Sequence, residues 1–231
     1  MFPLKDDNPT STTPVFTVGL IILNALVFVY QFSLEAGGPD GARAGQAFIS
    51  EFGLVPCRLT GACRSAADLP SPVLSIFTSM FMHGGLFHIA GNMLYLWIFG
   101  NNVEDTLGHA RFVVFYLLSG VAAALAQTAI GPDSTVPMVG ASGAISGVLG
   151  AYLILFPHAY VTTLIIFGFF FRLVRIPAVV VLGFWIVIQV VSGLGSLGVG
   201  GGVAFFAHIG GFLAGMGLLF VLRPRAGART V

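Results

Sequence analysis

The sequence predicts an all-α polytopic membrane protein, a bundle of six transmembrane helices with a long membrane-surface loop after the first. Composition is the first reason. Of 231 residues, 56% are hydrophobic and only 8% are charged, whereas a soluble domain carries about 25% charged residues. The second is clustering: apolar residues gather into six runs at about 15–32, 87–103, 112–130, 142–156, 178–197 and 203–222, most of them near the ~20 residues that cross a bilayer. The third is the placing of basic residues. With the N-terminus in the cytoplasm, Lys5, Arg111, Arg172, Arg175, Arg223, Arg225 and Arg229 fall inside and Arg43, Arg58 and Arg64 outside, as the positive-inside rule requires. A net charge of +1 gives no basis for nucleic-acid binding. No internal repeat divides the chain, so residues 15–222 are read as one membrane domain, with cytoplasmic tails at 1–14 and 223–231.

The N-terminal tail is polar, carrying Lys5, Asp6 and Asp7. It is unlike the basic start of a secretory signal, so the run after it is expected to be a retained helix. The loop from 35 to about 82 contains Gly37-Gly38-Pro39-Asp40-Gly41, then Phe48, Phe52, Leu54 and Val55, which point to the membrane surface. Cys57 and Cys63 face an oxidising space there and either pair or remain free thiols. The fourth run, from Ser142 to Pro157, is only about 22 Å long at 1.5 Å per residue. The hydrocarbon core is about 30 Å thick, so Ser142 is expected to start below the outer surface. Residues 162–174, with Arg172 and Arg175, are placed at the inner interface. The glycine-rich connection at 193–202 leads into His208 and is a candidate mobile lid.

Polar groups at membrane depth are expensive and usually functional. The candidates are His88, Asn92, Gln127, Gln189 and His208. His88 and Asn92 are four residues apart and share a helix face. Gln127 and Gln189 are read as structural, His83 as a surface loop residue, and His109 and His158 as exposed. Ser142 lies between glycines at a helix start, where free backbone N–H donors suit an oxyanion. The same stretch serves helix packing: Gly143, Gly147 and Ala151 form a small-residue stripe, matched by Ala207, Gly211 and Gly215 on the last helix. Two such faces approach until Ser142 reaches His208. The set reads as nucleophilic catalysis, with Ser142 the nucleophile and His208 its base. Asn92, His88 and the Ser142 backbone N–H are the oxyanion donors, and no carboxylate completes a triad. A zinc site at His83 and His88 lacks His-Glu-x-x-His and an acidic partner, so no metal or other cofactor is expected.

Four motifs in this order resemble the rhomboid family of intramembrane serine proteases. They are His83-Gly84-Gly85-Leu86-Phe87-His88-Ile89-Ala90-Gly91-Asn92, Phe99-Gly100-Asn101-Asn102-Val103-Glu104-Asp105, Gly140-Ala141-Ser142-Gly143 and Ala207-His208-Ile209-Gly210-Gly211-Phe212-Leu213-Ala214-Gly215. The resemblance implies a rhomboid-like bundle with Ser142 as nucleophile, His208 as base, and His88 and Asn92 lining the oxyanion site. It implies that the fifth helix, with bulky Phe184 and Trp185, is a lateral gate, and that Glu104 is a structural acid. The implied partners are the lipid bilayer and single-pass transmembrane substrates, cut near the outer face. Two positions depart from the family: its aromatic four residues after the nucleophile is Ser146 here, and the Trp-Arg pair of its first loop is absent. The lack of appended domains or a basic transit peptide favours a prokaryotic plasma membrane. A catalytically silent relative that binds membrane clients is opposed by the intact Ser142, His208 and Asn92. A small transporter is opposed by the absence of a repeat or an acidic coupling residue.

Overall fold

The computed structural model describes residues 1–63, 69–197 and 202–224. Arg64, Arg225, Arg229, the centre of the glycine-rich connection and most of the C-terminal tail lie outside the described residues. Every predicted apolar run is a helix. In chain order the elements are β1 (Phe2–Asp6), α1 (Val15–Glu35), α2 (Gly38–Phe52), α3 (Pro56–Thr60) and α4 (Pro72–Thr78), the last continued by a 3-10 turn at Ser79–Phe81. α5 (Leu86–Tyr95) and α6 (Asn101–Leu107) are joined through a π-helical stretch, Leu96–Gly100. Then come α7 (His109–Ile130), α8 (Ser142–Leu155), β2 (Tyr160–Phe167), β3 (Phe170–Pro177), α9 (Ala178–Gly195) and α10 (Phe205–Leu222). Four helices, α1, α7, α9 and α10, are each long and apolar enough to cross a membrane. Pro72–Phe81 and Leu86–Leu107, bent by 82°, form a fifth candidate span, and Ser142–Leu155 is the shorter apolar helix. Prolines open several of these helices, at Pro39, Pro56 and Pro72, where the missing N–H would have had no partner.

α8 is the centre of the bundle. Gly143 through Tyr152 are all buried, as expected of a helix that is apolar on every side. It packs chiefly on α10 and α7. The two glycine stripes meet as the sequence predicts. A Cβ on Gly211 would overlap the carbonyl oxygen of Gly143, one on Gly215 that of Gly147, and one on Gly150 that of Phe212. Toward the other end of α8 the core is aromatic: Phe99, Phe112, Phe115, Tyr116 and Tyr152 are fully buried, and Phe99 meets Tyr152 edge-on at 4.9 Å.

The structure adds a small sheet to the helical bundle. β1, β2 and β3 form an antiparallel three-stranded sheet in that order. Residues 162–174, expected as an interfacial piece, are most of its hairpin, which turns at Gly168 with φ +58°. The β-branched and aromatic residues on either side favour strands, but the polar residues Thr162, Thr163, Arg172 and Arg175 do not fall at alternate positions, so the two-residue period that would announce strands is missing. The N-terminal segment is likewise part of the fold rather than a loose tail. Tyr152 donates to Asp6 at 2.7 Å, the Tyr160 N–H donates to Asp7 at 2.8 Å, and Arg175 pairs with Asp7. Burial pushes the Asp6 carboxyl above the usual carboxylate range.

Two carboxylates of α6 tie down the start of α1, which has no side-chain cap of its own. Asp105 accepts from the Ser11 and Thr12 N–H groups at 3.0 and 2.9 Å. Glu104, fully buried, accepts from Phe16 N at 2.9 Å and from Thr17 N and Oγ1 at 2.7 Å. These are orphan donors of a helix N-terminus, where negative charge is also favoured by the dipole. His109, expected to be exposed, keeps its Nδ1 at 2.6 Å from Glu104.

The long first loop is largely helical. Leu54 and Val55 are buried in the protein rather than laid on the membrane. Leu54 exchanges backbone hydrogen bonds with Met138 at 3.0 and 2.7 Å, and its side chain packs with Ile76, Met80 and Ala124. Phe48 packs at a tilt against Phe52 and meets Tyr30 edge-on. Cys57 and Cys63 form a disulfide.

The backbone contact between α8 and α10 predicts an asymmetric response to single methyl groups. Gly211→Ala and Gly215→Ala should each destabilise the fold by the ~1–3 kcal/mol typical of overpacking and so lower the thermal midpoint in detergent. Gly217→Ala, whose Cβ meets nothing within 4 Å, should melt like the parent. Equal midpoints for Gly211→Ala and Gly217→Ala would contradict the close approach.

Candidate active site

Ser142 is the first residue of α8, and its position is set by the chain that precedes it. Gly140 N–H bonds to the Ser79 carbonyl at 2.9 Å, Cys57 N–H to Ser134 at 3.0 Å, and Thr60 Oγ1 to Pro132 at 2.8 Å. With the Leu54–Met138 pairing, these bonds pin the approach to Ser142 onto the first loop and the turn after α4. Gly140 has φ +131°, a conformation that side chains rarely adopt. A Cβ there would also lie 2.8 Å from His88 Nε2 and 3.6 Å from Ser142 Oγ. The glycine therefore keeps open the space between these two side chains.

His208 sits near the start of α10. The N–H of its neighbour Ala207 donates to Gln127 Oε1 at 3.2 Å. His208 Nε2 lies 2.8 Å from Ser142 Oγ, and Nδ1 lies 2.7 Å from Gln189 Oε1. An amide oxygen only accepts, so Nδ1 carries the proton and Nε2 presents its lone pair to the serine hydroxyl. Gln189, expected to be a purely structural amide, is thus part of the site. Its signal in the sequence is its place four residues after Trp185 in an otherwise apolar run, on the helix that precedes His208.

Ser146 stands clear of this chain. Its hydroxyl turns back to the Ser142 carbonyl at 2.6 Å. The aromatic contact to His208 comes instead from Trp185, whose ring centroid is 5.8 Å away. Trp185 also packs on Phe212 at 6.1 Å. It therefore contacts α10. Phe184 is exposed. α9 as a whole packs on α10 and, less extensively, on α8, β2 and β3.

His88 accepts from the Gly84 N–H at Nδ1, 3.2 Å away, leaving Nε2 on the Gly140 side. His83 is buried rather than on the surface. Its backbone is bracketed by the Gln31 amide at 3.2 and 3.0 Å, and its ring meets that of His88 edge-on at 5.1 Å. Asn92 is buried on the same helix as His88, and its Nδ2 has no hydrogen-bond partner among the described residues. An unpaired buried donor costs about 1–3 kcal/mol. Ser142, His208, His88, Gly140 and Gln127 line a cavity of about 1050 Å³.

A family model described as Rhomboid domain matches residues 70–225. RHOMBOID-like protein 1 of Arabidopsis thaliana is 33% identical over 157 residues, 67% of this chain and 36% of that protein. Rhomboid protein 1, mitochondrial, of Saccharomyces cerevisiae is 39% identical over 100 residues, 40% of this chain and 28% of that protein. Rhomboid protease GluP of Bacillus subtilis is 34% identical over 141 residues, 61% of this chain and 24% of that protein. The matched chain spans from about a quarter to about a third of the length of these relatives.

The orphaned amide of Asn92 gives a test that separates a waiting donor from a helix clip. Asn92→Ala removes no hydrogen bond from Nδ2, so its thermal midpoint in detergent should match or exceed that of the parent. A midpoint lowered by several degrees would show that the amide joins helices.

Proposed function

The chain belongs to the rhomboid family, and from that membership we propose that it is an intramembrane serine endopeptidase working through a Ser142–His208 dyad. The observation that carries this reading is the 2.8 Å contact from His208 Nε2 to Ser142 Oγ, with the imidazole in the tautomer that can accept a proton. A curated relative named as a protease supports it.

The geometry suits acyl transfer. Ser142 Oγ attacks the scissile carbonyl carbon while His208 Nε2 takes the hydroxyl proton. The carbonyl oxygen becomes an oxyanion within reach of three donors: the Ser142 N–H, free because it opens a helix, Asn92 Nδ2 and His88 Nε2. Such a donor is worth about 3–4 kcal/mol in the transition state. Collapse of the tetrahedral species breaks the C–N bond, and His208 passes its proton to the leaving amine. Water then loses a proton to His208, attacks the Ser142 ester and regenerates the serine. The cavity beside the dyad supplies room for this water.

The substrates we assign are transmembrane segments of single-pass membrane proteins, cut near the outer face, with both termini of this chain in the cytoplasm. Lateral access past α9 is part of the same proposal, with exposed Phe184 on the path and Trp185 as a support of the base.

Ser142→Ala and His208→Ala should each abolish cleavage of a transmembrane substrate while leaving the protein folded, because a dyad acts as one unit. A fluorophosphonate should label Ser142 in the parent and not in His208→Ala. Undiminished proteolysis by Ser142→Ala would falsify the mechanism. The two gate candidates should separate. Phe184→Ala should speed cleavage of a transmembrane substrate and leave a short soluble peptide unaffected. Trp185→Ala should slow both, since it uncovers His208; faster cleavage of both by Trp185→Ala would return it to the role of a plug.

A further inference from the structure

We infer that Gln189 is the positioning residue of the dyad and that, together with Trp185, it makes α9 the element that orients the base. The inference rests on the protease reading above and adds to it what holds His208, given Ser146 in place of an aromatic.

A histidine in a dyad without a carboxylate has two ways to fail. Its ring can flip and present carbon to the serine, or it can take the tautomer with the proton on Nε2, which cannot accept the hydroxyl proton. Gln189 Oε1, 2.7 Å from Nδ1, opposes both. It selects the proton on Nδ1 and ties that edge of the ring to α9. A carboxylate does the same in a triad and also stabilises the imidazolium, but an ionised carboxylate at this depth is costly. A neutral amide gives the orientation without the charge.

The amide is itself prevented from flipping. Gln189 is buried, and its Nε2 donates to the Trp185 carbonyl one helical turn back at 3.3 Å. With the nitrogen so engaged, the oxygen faces His208. Trp185 covers the imidazole ring, with planes tilted by 38°. Residues four apart lie on one helix face, so one face of α9 grips both the edge and the plane of a ring carried by α10. It follows that the base is in register only while α9 is seated. Outward movement of α9 that admits a substrate also releases His208, and hydrolysis waits for the helix to return.

The purified full chain in detergent tests this, with fluorophosphonate labelling of Ser142 as the readout because the probe needs no helical substrate to pass α9. Gln189→Met, similar in length but without an acceptor, should label slower by roughly ten- to hundredfold, part of the ~10²–10⁴ that a positioned base contributes. Gln189→Glu keeps the acceptor and should stay close to the parental rate, with the acid limb of its pH profile moved upward because a carboxylate favours the imidazolium. Among the described residues, His88 and Asp133 are the other titratable side chains lining the cavity; they are common to all three proteins, so the shift reads position 189. Labelling of Gln189→Met at the parental rate, or equal loss in Gln189→Met and Gln189→Glu, would overturn the inference. A parent protein that is not labelled at all would instead overturn the protease reading.

Discussion

The spacing between α8 and α10 is the constraint on which the rest of the molecule depends, and backbone rather than side chains sets it. Lipid offers no hydrophobic drive to bring two helices together, so membrane helices associate through close packing and hydrogen bonds. Here the carbonyls of Gly143 and Gly147 lie where a Cβ of Gly211 or Gly215 would be. Ser142 is one residue before the first of these contacts and His208 three residues before its counterpart. The close approach of the two helices brings hydroxyl and imidazole within the 2.8 Å observed.

The polar groups buried in this apolar protein are sorted by charge. Glu104, fully buried, is met by backbone and hydroxyl donors of Phe16 and Thr17, and its half-exposed neighbour Asp105 by those of Ser11 and Thr12. The side chains bonded to or packed around Ser142 and His208 are serine, histidine, glutamine and tryptophan, with no carboxylate among their hydrogen-bond partners in the described residues. The acidic end fixes where α1 begins and joins β1 to the bundle; at the neutral end Asn92 Nδ2 and the ring nitrogens of His83 have no partner among the described residues.

Much of this was legible in the sequence, for reasons that differ by element. Long apolar runs announce their helices: the run expected at 15–32 is observed as Val15–Glu35 and that at 203–222 as Phe205–Leu222. The juxtaposition of Ser142 and His208 was legible because small residues at helical spacing mark where two helices touch. The sheet was not. β1 and β2 lie at opposite ends of most of the chain, and the few polar residues of β2 and β3 do not alternate with the apolar ones. The burial of Leu54 and His83 depends on the first loop folding back onto residues 131–141 and onto α1, which no local pattern encodes. Gln189 was hidden for a related reason: spacing identifies the face of α9 it occupies, but not which neighbour that face meets. The direction of Trp185 was hidden with it.

The glycine contact also constrains how this protein can change over generations. Most cavities and clashes in a core can be repaired by a second substitution across the interface, a larger residue here answering a smaller one there. Between α8 and α10 both partners are already glycine, so a side chain gained on one helix has no reciprocal loss available on the other. Suppressors of such a change must come from elsewhere, from Ala123 or Ser119 of α7, which touch the same stripe, or from loops that allow a whole helix to slide. The interface is therefore expected to diversify by replacement of its surroundings, with the glycine pairs themselves left as a fixed frame.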